Sequence, residues 1–258
     1  LDQISTVKAD LAHFIAQQLI DLPEKGNYQE AANVLASWDG NYDLYAIAPT
    51  IFARLYYHIA YESIVDELGL ILFDKSLGSY LLKKTLPKMI YNENSPWWNT
   101  VGAEEVTSRD QILTLAFMMT VDELTQELGP LVKDWKWAKV HTLTHEHPVG
   151  KKEPLDQIFN VGPFAVGGGN QVLNKMEYDL SDEPIHQVSS GPALRILIDF
   201  ADVDGALNIT PTGQSGNFRS PHYDDQAEMY VNGVYRNMWM KREPIELGKH
   251  QQLYLLPL

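Results

Sequence analysis

A chain of 258 residues with a 45% apolar share and 13 Tyr is large enough for one sizeable packed domain or two small ones. A formal net charge of -14 and a pI near 4.9 exclude a nucleic-acid backbone as partner, because that affinity needs a concentrated basic surface. The lack of cysteine excludes disulfides, thiolate nucleophiles and Cys-ligated zinc, and no apolar run is long enough to cross a bilayer.

No signal peptide opens the chain, and Leu1-Asp2-Gln3 reads as mid-domain sequence, so the first residue is expected to be a processing site or a boundary within a longer protein. Helical spacing follows at once. Leu11, Phe14, Ile15, Gln18 and Leu19 share a face, and Pro23 and Gly26 end the run. Tyr28 to Trp38 predicts a second short helix, stopped by Asp39-Gly40. After Pro49, the residues Ile51, Phe52, Leu55, Tyr56, Ile59 and Ile64 predict a helix of several turns, and Leu77 to Ile90 predicts another. Asn92 to Asn99 reads as a loop. The clearest helix has Thr107 or Ser108 as N-cap, Asp110 in its first turn, an apolar face from Leu113 to Leu128, and a stop at Gly129-Pro130.

The pattern then changes. Lys139 to His147 alternates as a strand does. Arg195 to Phe200 and Ala206 to Ile209 predict strands around a turn at Asp202-Val203-Asp204-Gly205, and Leu253 to Leu256 predicts a last strand. Residues 1–130 are expected to be mainly helical and 131–258 mainly strands and loops, an α+β chain without internal repeats.

Several groups invite a chemical reading. His141, His145 and His147 share a parity and would point to one side of an extended strand, where three imidazoles could ligate zinc. The competing reading makes them hydrogen-bonded structural residues. Ser215, inside Gly213-Gln214-Ser215-Gly216, invites comparison with a nucleophile elbow, although position 217 is Asn where the elbow has Gly. With His222 and an Asp it would make a serine-hydrolase triad. His222, Asp224, Asp225 and Gln226 could instead form a network with Ser215 that orients loops around a substrate. A helix start, with Ser220 as N-cap, Pro221 at the first position and Asp224 in the first turn, explains part of the same block without function. Gly167-Gly168-Gly169-Asn170 lacks the Lys and Ser/Thr of a P-loop and reads as a turn. Arg195 and Asp199 share a strand face and suggest a structural ion pair. Trp38 reads as a core anchor, and Trp97-Trp98 as packing or as the lining of a cleft.

The block Pro211-Thr212-Gly213-Gln214-Ser215-Gly216-Asn217, followed by Ser220-Pro221-His222-Tyr223-Asp224-Asp225-Gln226, resembles the Gly-Gln-Ser-Gly, Ser-Pro-His-Tyr and Asp-Gln block of the penicillin acylase (penicillin amidase) family of N-terminal nucleophile hydrolases. Gly191-Pro192-Ala193-Leu194-Arg195 leading to Asp199 resembles that family's Gly-Pro-Ser-x-Arg…Asp strand. Trp137-Ala138-Lys139-Val140-His141-Thr142-Leu143 with His147-Pro148 resembles its Trp-Gly-x-x-His…His-Pro segment. Leu35-Ala36-Ser37-Trp38-Asp39-Gly40 resembles its Leu-x-x-Trp-Asp-Gly signature. The matches keep the family's order and span nearly the whole chain.

The resemblance implies a place in an αββα sandwich and an amidohydrolase of linear amides: acylated β-lactams, N-acyl amines or amino acids, or acyl-homoserine lactones. In such enzymes a precursor is cut into a small α chain and a large β chain. The first Ser of the β chain attacks the amide with its own α-amine as base, because an α-amine titrates near neutral pH. An Asn side chain and backbone N–H groups hold the oxyanion. Neither the family's Ser-Asn-x-Trp start nor its Asn-x-Asn context is found here. The chain is therefore expected to be the C-terminal part of the β chain, without a catalytic residue of its own and inactive alone. A cut exposing Ser5 is the disfavoured alternative, since Ser5 opens a helical pattern. The implied partners are the α chain, the N-terminal part of the β chain and a small-molecule amide, with no nucleic acid and no membrane. No cofactor is expected in this segment, calcium is allowed in the parent protein, and the implied compartment is the periplasm. The competing classes are a non-catalytic binding or structural fragment and a zinc protein built on the His141 group.

Overall fold

The computed structural model describes residues 2–102, 107–241 and Ile245. They fall into two compact units, one from Leu1–Thr144 and Gly162–Gly191, the other from His145–Val161 and Pro192–Leu258.

The first unit is mostly helical: α1 (Thr6–Gln18), α2 (Tyr28–Ala36), α3 (Ala48–Leu68), α4 (Leu70–Leu77), α5 (Tyr80–Tyr91) and α6 (Arg109–Leu128). The caps follow from the sequence. Ser5 accepts from the Lys8 amide at the start of α1, and Ser108 and Gln111 close a capping box on α6. The helix expected over Leu77 to Ile90 is α5, which starts three residues later, and the short α4 before it was not expected. Gly78 ends α4, and Ser79, extended at ψ 140, restarts the chain by capping the Leu82 amide. Leu70, Ile71 and Leu72 are all exposed, so apolar spacing does not mark the buried face of α4. Between α5 and α6, Pro96–Trp98 forms a single 3-10 turn inside the expected loop, with Trp98 buried and Trp97 at the surface.

Helix α3 is the centre of the core. Ile51, Phe52, Leu55 and Ile59 are buried, with α1, α2 and α6 belonging to the same apolar cluster. Burial on nearly all sides explains why its first four turns are apolar round most of the circumference. The exception is Arg54, which is 2% exposed and donates through Nε to Glu123 of α6 at 2.5 Å and through Nη1 to the Ser181 carbonyl at 2.8 Å. Glu123 also meets His58 Nε2 at 2.7 Å. Burial alone would raise the Glu123 carboxyl, but the bonds from His58 and Arg54 outweigh it and hold the carboxyl below its ordinary value. Trp38 is the expected core anchor, and Gly40 beside it has no substitute: at φ 84, a Cβ there would lie 2.3 Å from the Ser5 carbonyl oxygen.

Trp137–Val140 forms one helical turn (α7) that leads into β1 (His141–His145), so the strand expected from Lys139 to His147 starts late and ends early. With β2 (Val161–Ala165), β3 (Glu177–Tyr178) and β4 (His186–Ser190) it makes a sheet of order β2-β1-β4-β3. Strands β1 and β4 are parallel, with His141 opposite His186.

The second unit carries α8 (Asp156–Phe159), β5 (Arg195–Asp199), β6 (Asp202–Ile209), α9 (Ala227–Val231) and β7 (Arg236–Asn237), the strands in antiparallel order β5-β6-β7. The β5–β6 turn is Phe200-Ala201, not the Asp202 to Gly205 expected from composition. Asp199 accepts from the Ala201 amide at 2.9 Å and closes the chain there, which leaves Asp-Val-Asp-Gly as the start of β6. The hairpin exposes Ile196, Leu197, Ile198 and, at 90%, Phe200. The strand expected over Leu253 to Leu256 lies outside the described residues. No helix among the described residues is long and apolar enough to cross a membrane. Helices and strands together make the chain α+β, as composition and periodicity predict.

Candidate functional site

Beyond β6 the chain runs from Thr210 to Gln226 without a regular element, and this loop holds the block that drew the sequence reading. Two backbone bonds tie its limbs together: Gly213 N–H to the Tyr223 carbonyl at 2.8 Å and Ser215 N–H to the His222 carbonyl at 3.0 Å. The approach is so close that a Cβ on Gly213 would lie 1.9 Å from the His222 carbonyl oxygen, whereas one on Gly216 would meet nothing within 4 Å. Gly213→Ala is therefore expected to cost about 1–3 kcal/mol by forcing the limbs apart. Gly216→Ala is expected to cost under ~1 kcal/mol, and urea unfolding of the two variants checks the contrast.

The outer corners are closed by short side-chain turns. Ser215 Oγ accepts from the Asn217 amide at 3.2 Å, and Ser220 Oγ from the His222 amide at 3.2 Å. Tyr223 donates its hydroxyl to the Phe159 carbonyl at 2.5 Å, and buried Gln226 accepts from the Thr210 amide at 3.3 Å. Ser220 does not start a helix, because α9 begins only at Ala227. The serine stabilises a loop turn, and the helix-start reading of this block is corrected.

A cavity of about 710 Å³ lies against this loop, reached by Ser215, His222, Asp225 and Gln226, with Asn208 from β6 and Arg236 and Asn237 from β7. The loop thus brings together four of the expected network residues, while Asp224 is exposed and lies off the cavity wall. His222 Nδ1 is 3.0 Å from Asp225 Oδ2, and the His222 side chain is 71% exposed. Among the described residues no hydrogen bond joins the Ser215 hydroxyl to the His222 ring, so the first link of a serine-hydrolase triad is missing. What the wall offers is four amide side chains, two serine hydroxyls, one imidazole, one guanidinium and one carboxylate, a set suited to hydrogen-bonding polar groups of a ligand. Asn208, Arg236 and Asn237 escape sequence reading because only strand register, with Asn208 opposite Arg236, places them beside the loop.

The three histidines go separate ways. His141 is buried, stacks on Trp137 with centroids 4.4 Å apart, and its Nδ1 meets the His186 carbonyl at 2.7 Å. Burial pushes it down to about 4 against the pull of its backbone partners. His145 sits edge-on to Tyr230, and burial lowers it. His147 lies beyond the strand end, stacks on Phe159, and accepts from the Val149 amide at 3.1 Å. Among the described residues no group of three His, Asp or Glu is placed to hold a metal, so the three histidines form no zinc-ligand set there. The parity argument fails at His147 because β1 stops at His145.

The remaining motifs are structural. Gly168 accepts from the Trp137 indole at 3.0 Å and donates to the Tyr42 carbonyl at 2.9 Å, so the glycine run packs on aromatic residues. Arg195 lies over the Tyr230 ring at 4.1 Å and donates to its carbonyl at 3.0 Å.

The chain matches the family model for penicillin amidase over residues 1–247. It is 27% identical over 254 residues to the acyl-homoserine lactone acylase QuiP of Pseudomonas syringae pathovar tomato, covering 93% of this chain and 30% of that protein. It is 24% identical over 241 residues to the acyl-homoserine lactone acylase QuiP of Pseudomonas aeruginosa, covering 85% and 28%. The chain thus spans less than a third of the length of these curated relatives. Among solved structures, a thermostable penicillin G acylase from Alcaligenes faecalis superposes with a TM-score of 0.57 at 18% identity, over 99% of this chain and 47% of that one, a likeness of fold.

Proposed function

The chain belongs to the penicillin amidase family, and from that premise we propose that it is the C-terminal part of the large β chain of a hydrolase that cleaves linear amides. The observation that supports this most is that the family match runs unbroken through the Gly213–Gln226 loop and the strands that line its polar cavity. The relatives bear the names of acyl-homoserine lactone and penicillin G acylases, and acylated lactones and acylated β-lactams are the proposed substrate classes.

None of the described serines is assigned the role of nucleophile. The Ser215 hydroxyl is engaged by the Asn217 amide. Ser5 caps α1 and donates its backbone N–H to the Gly40 carbonyl at 3.0 Å, as a residue inside a packed turn. The attack is assigned to the N-terminal serine of the family's β chain, with its α-amine as base, and this segment to scaffold and substrate wall. The α chain and the N-terminal part of the β chain are the proposed partners. The exposed aliphatic hairpin around Phe200 provides apolar surface for such a partner to cover. Export to the periplasm belongs to the same proposal.

The processed full-length protein is expected to release free amine from a long-chain N-acyl-homoserine lactone or a phenylacetylated chromogenic amide, and the segment alone to release none. Turnover by the purified segment, or none by the processed protein on either substrate, would falsify this reading.

A further inference from the structure

The helical unit has an apolar cleft of about 330 Å³ between the ends of α3 and α4, the first turns of α5 and the Pro96–Trp98 turn. Leu68 of α3, Leu82, Leu86 and Met89 of α5, and Trp97 supply most of its wall, and among the described residues no charged side chain lines it. Three of its four hydroxyls are already engaged. Ser76 donates to the Phe73 carbonyl at 2.7 Å, Thr85 donates to the Leu81 carbonyl at 2.9 Å, and Ser79 accepts from the Leu82 amide at 3.2 Å. What remains is hydrocarbon that meets water. Leu81, at the mouth, is 72% exposed, and Trp97 stays at the surface beside the buried Trp98. Such surface gains free energy when an apolar body covers it.

The shape and the wall select the occupant. The cleft is concave, and its volume is at the small end of ligand sites, which suits a short chain. A polar group placed inside would give up water without a replacement, so the part held there is plain hydrocarbon. The mouth selects the head. Leu81, Thr85 and Lys88 follow one another at spacings of four and three, one stripe of α5, so Lys88 stands one turn beyond the mouth. Lys83 is held by Asp179 at 2.8 Å, whereas the exposed Lys88 has no carboxylate partner among the described residues. Between residues 70 and 91 four lysines stand against one aspartate, in a chain whose net charge is -14. Glu67, Asp74 and Glu93 neighbour wall residues in sequence but do not line the cleft. We propose that the cleft binds a medium-chain alkyl carboxylate, its chain against Leu68, Leu82, Leu86 and Trp97 and its head in water beside Lys88. The inference uses no part of the hydrolytic reading, so the two can fail separately.

Octanoic acid carrying a diazirine near the end of its chain, photolysed with the full-length protein and read by peptide mass spectrometry, tests the cleft locally. Label is expected on α5 and on the Pro96–Trp98 turn. Unlabelled carboxylates from hexanoate to octanoate are expected to compete about threefold better for each added methylene. Octylamine is expected to compete about threefold less well than octanoate, and Lys88→Gln to remove that difference. Leu81 and Thr85 are both exposed, so the fold tolerates change there. Leu81→Glu puts a charge in the mouth and Thr85→Phe fills the cleft, and each is expected to cut labelling about tenfold. Label found only elsewhere, as when the rest of the parent protein covers the cleft, overturns the proposal. Competition that ignores chain length, octylamine equal to octanoate, or full labelling of both cleft variants overturns it as well.

Discussion

Glu123→Ala is expected to lower the unfolding free energy by about 3 kcal/mol, the low end of the range for breaking a buried ion pair. The size follows from what stays behind. Arg54, almost wholly buried in α3, would keep the Ser181 and Glu183 carbonyls, the face of the Tyr57 ring at 4.3 Å and the distant carboxylate of Asp182, 3.8 Å away. A buried guanidinium without a close counter-charge is costly, while Glu123 itself retains some water and so loses less. Glu123→Gln keeps an acceptor and is expected to cost about 1–2 kcal/mol. The double variant Arg54→Met/Glu123→Leu, which removes both charges, is expected to recover much of the alanine loss. Urea unfolding at neutral pH measures all three. A loss under about 1 kcal/mol for the alanine variant would show that water reaches the guanidinium.

Acid is expected to weaken the protein well above the range where carboxylates titrate. His141 is held down to about 4 and His186 to about 3, in both cases first by burial, and for His186 next by the neighbouring His141 and Arg54. Both are neutral when folded, and both take up a proton near 6.5 when unfolded. Their contribution is thus intact above pH 6.5 and is lost progressively as pH falls towards 4 and 3. At pH 5 the loss is about 2 kcal/mol for each histidine. Replacing His186 by Gln is expected to flatten the fall in stability between pH 7 and pH 5 by about half. The pH slope is the relevant quantity, because the variant also changes packing beside Tyr178, whose ring centroid lies 4.9 Å from that of His186. A wild-type stability that stays level over this interval would exclude the mechanism.

How far the sequence could be read depended on whether a signal was local. Helix α6 was legible because its cap Ser108 and first-turn Asp110 mark its start and Gly129 directly follows its last residue. Helix α4 was not, since its Leu70, Ile71 and Leu72 face water and only Phe73 and Leu77 are buried, too few to set a helical pattern. Asp202 to Gly205 has turn composition, yet the turn forms earlier because Asp199 closes it first. The Gly213–Gln226 block announced itself as a motif, and the structure gathers Ser215, His222, Asp225 and Gln226 around one cavity. Its strand partners Arg236 and Asn237 depend on pairing across a loop of variable path, which no spacing rule reports. His186 stayed hidden for the same reason: it meets His141 only through the parallel pairing of β1 and β4.

The coupling of Gly213 to Tyr223 and of Ser215 to His222 also fixes how the segment can change in length over evolutionary time. A residue gained or lost in either limb would put both amides out of step with their carbonyls and swing His222 off the cavity wall. Insertions and deletions are expected to be confined to the apex near Gly216 to Arg219, where the residues are exposed and nothing crowds the glycine.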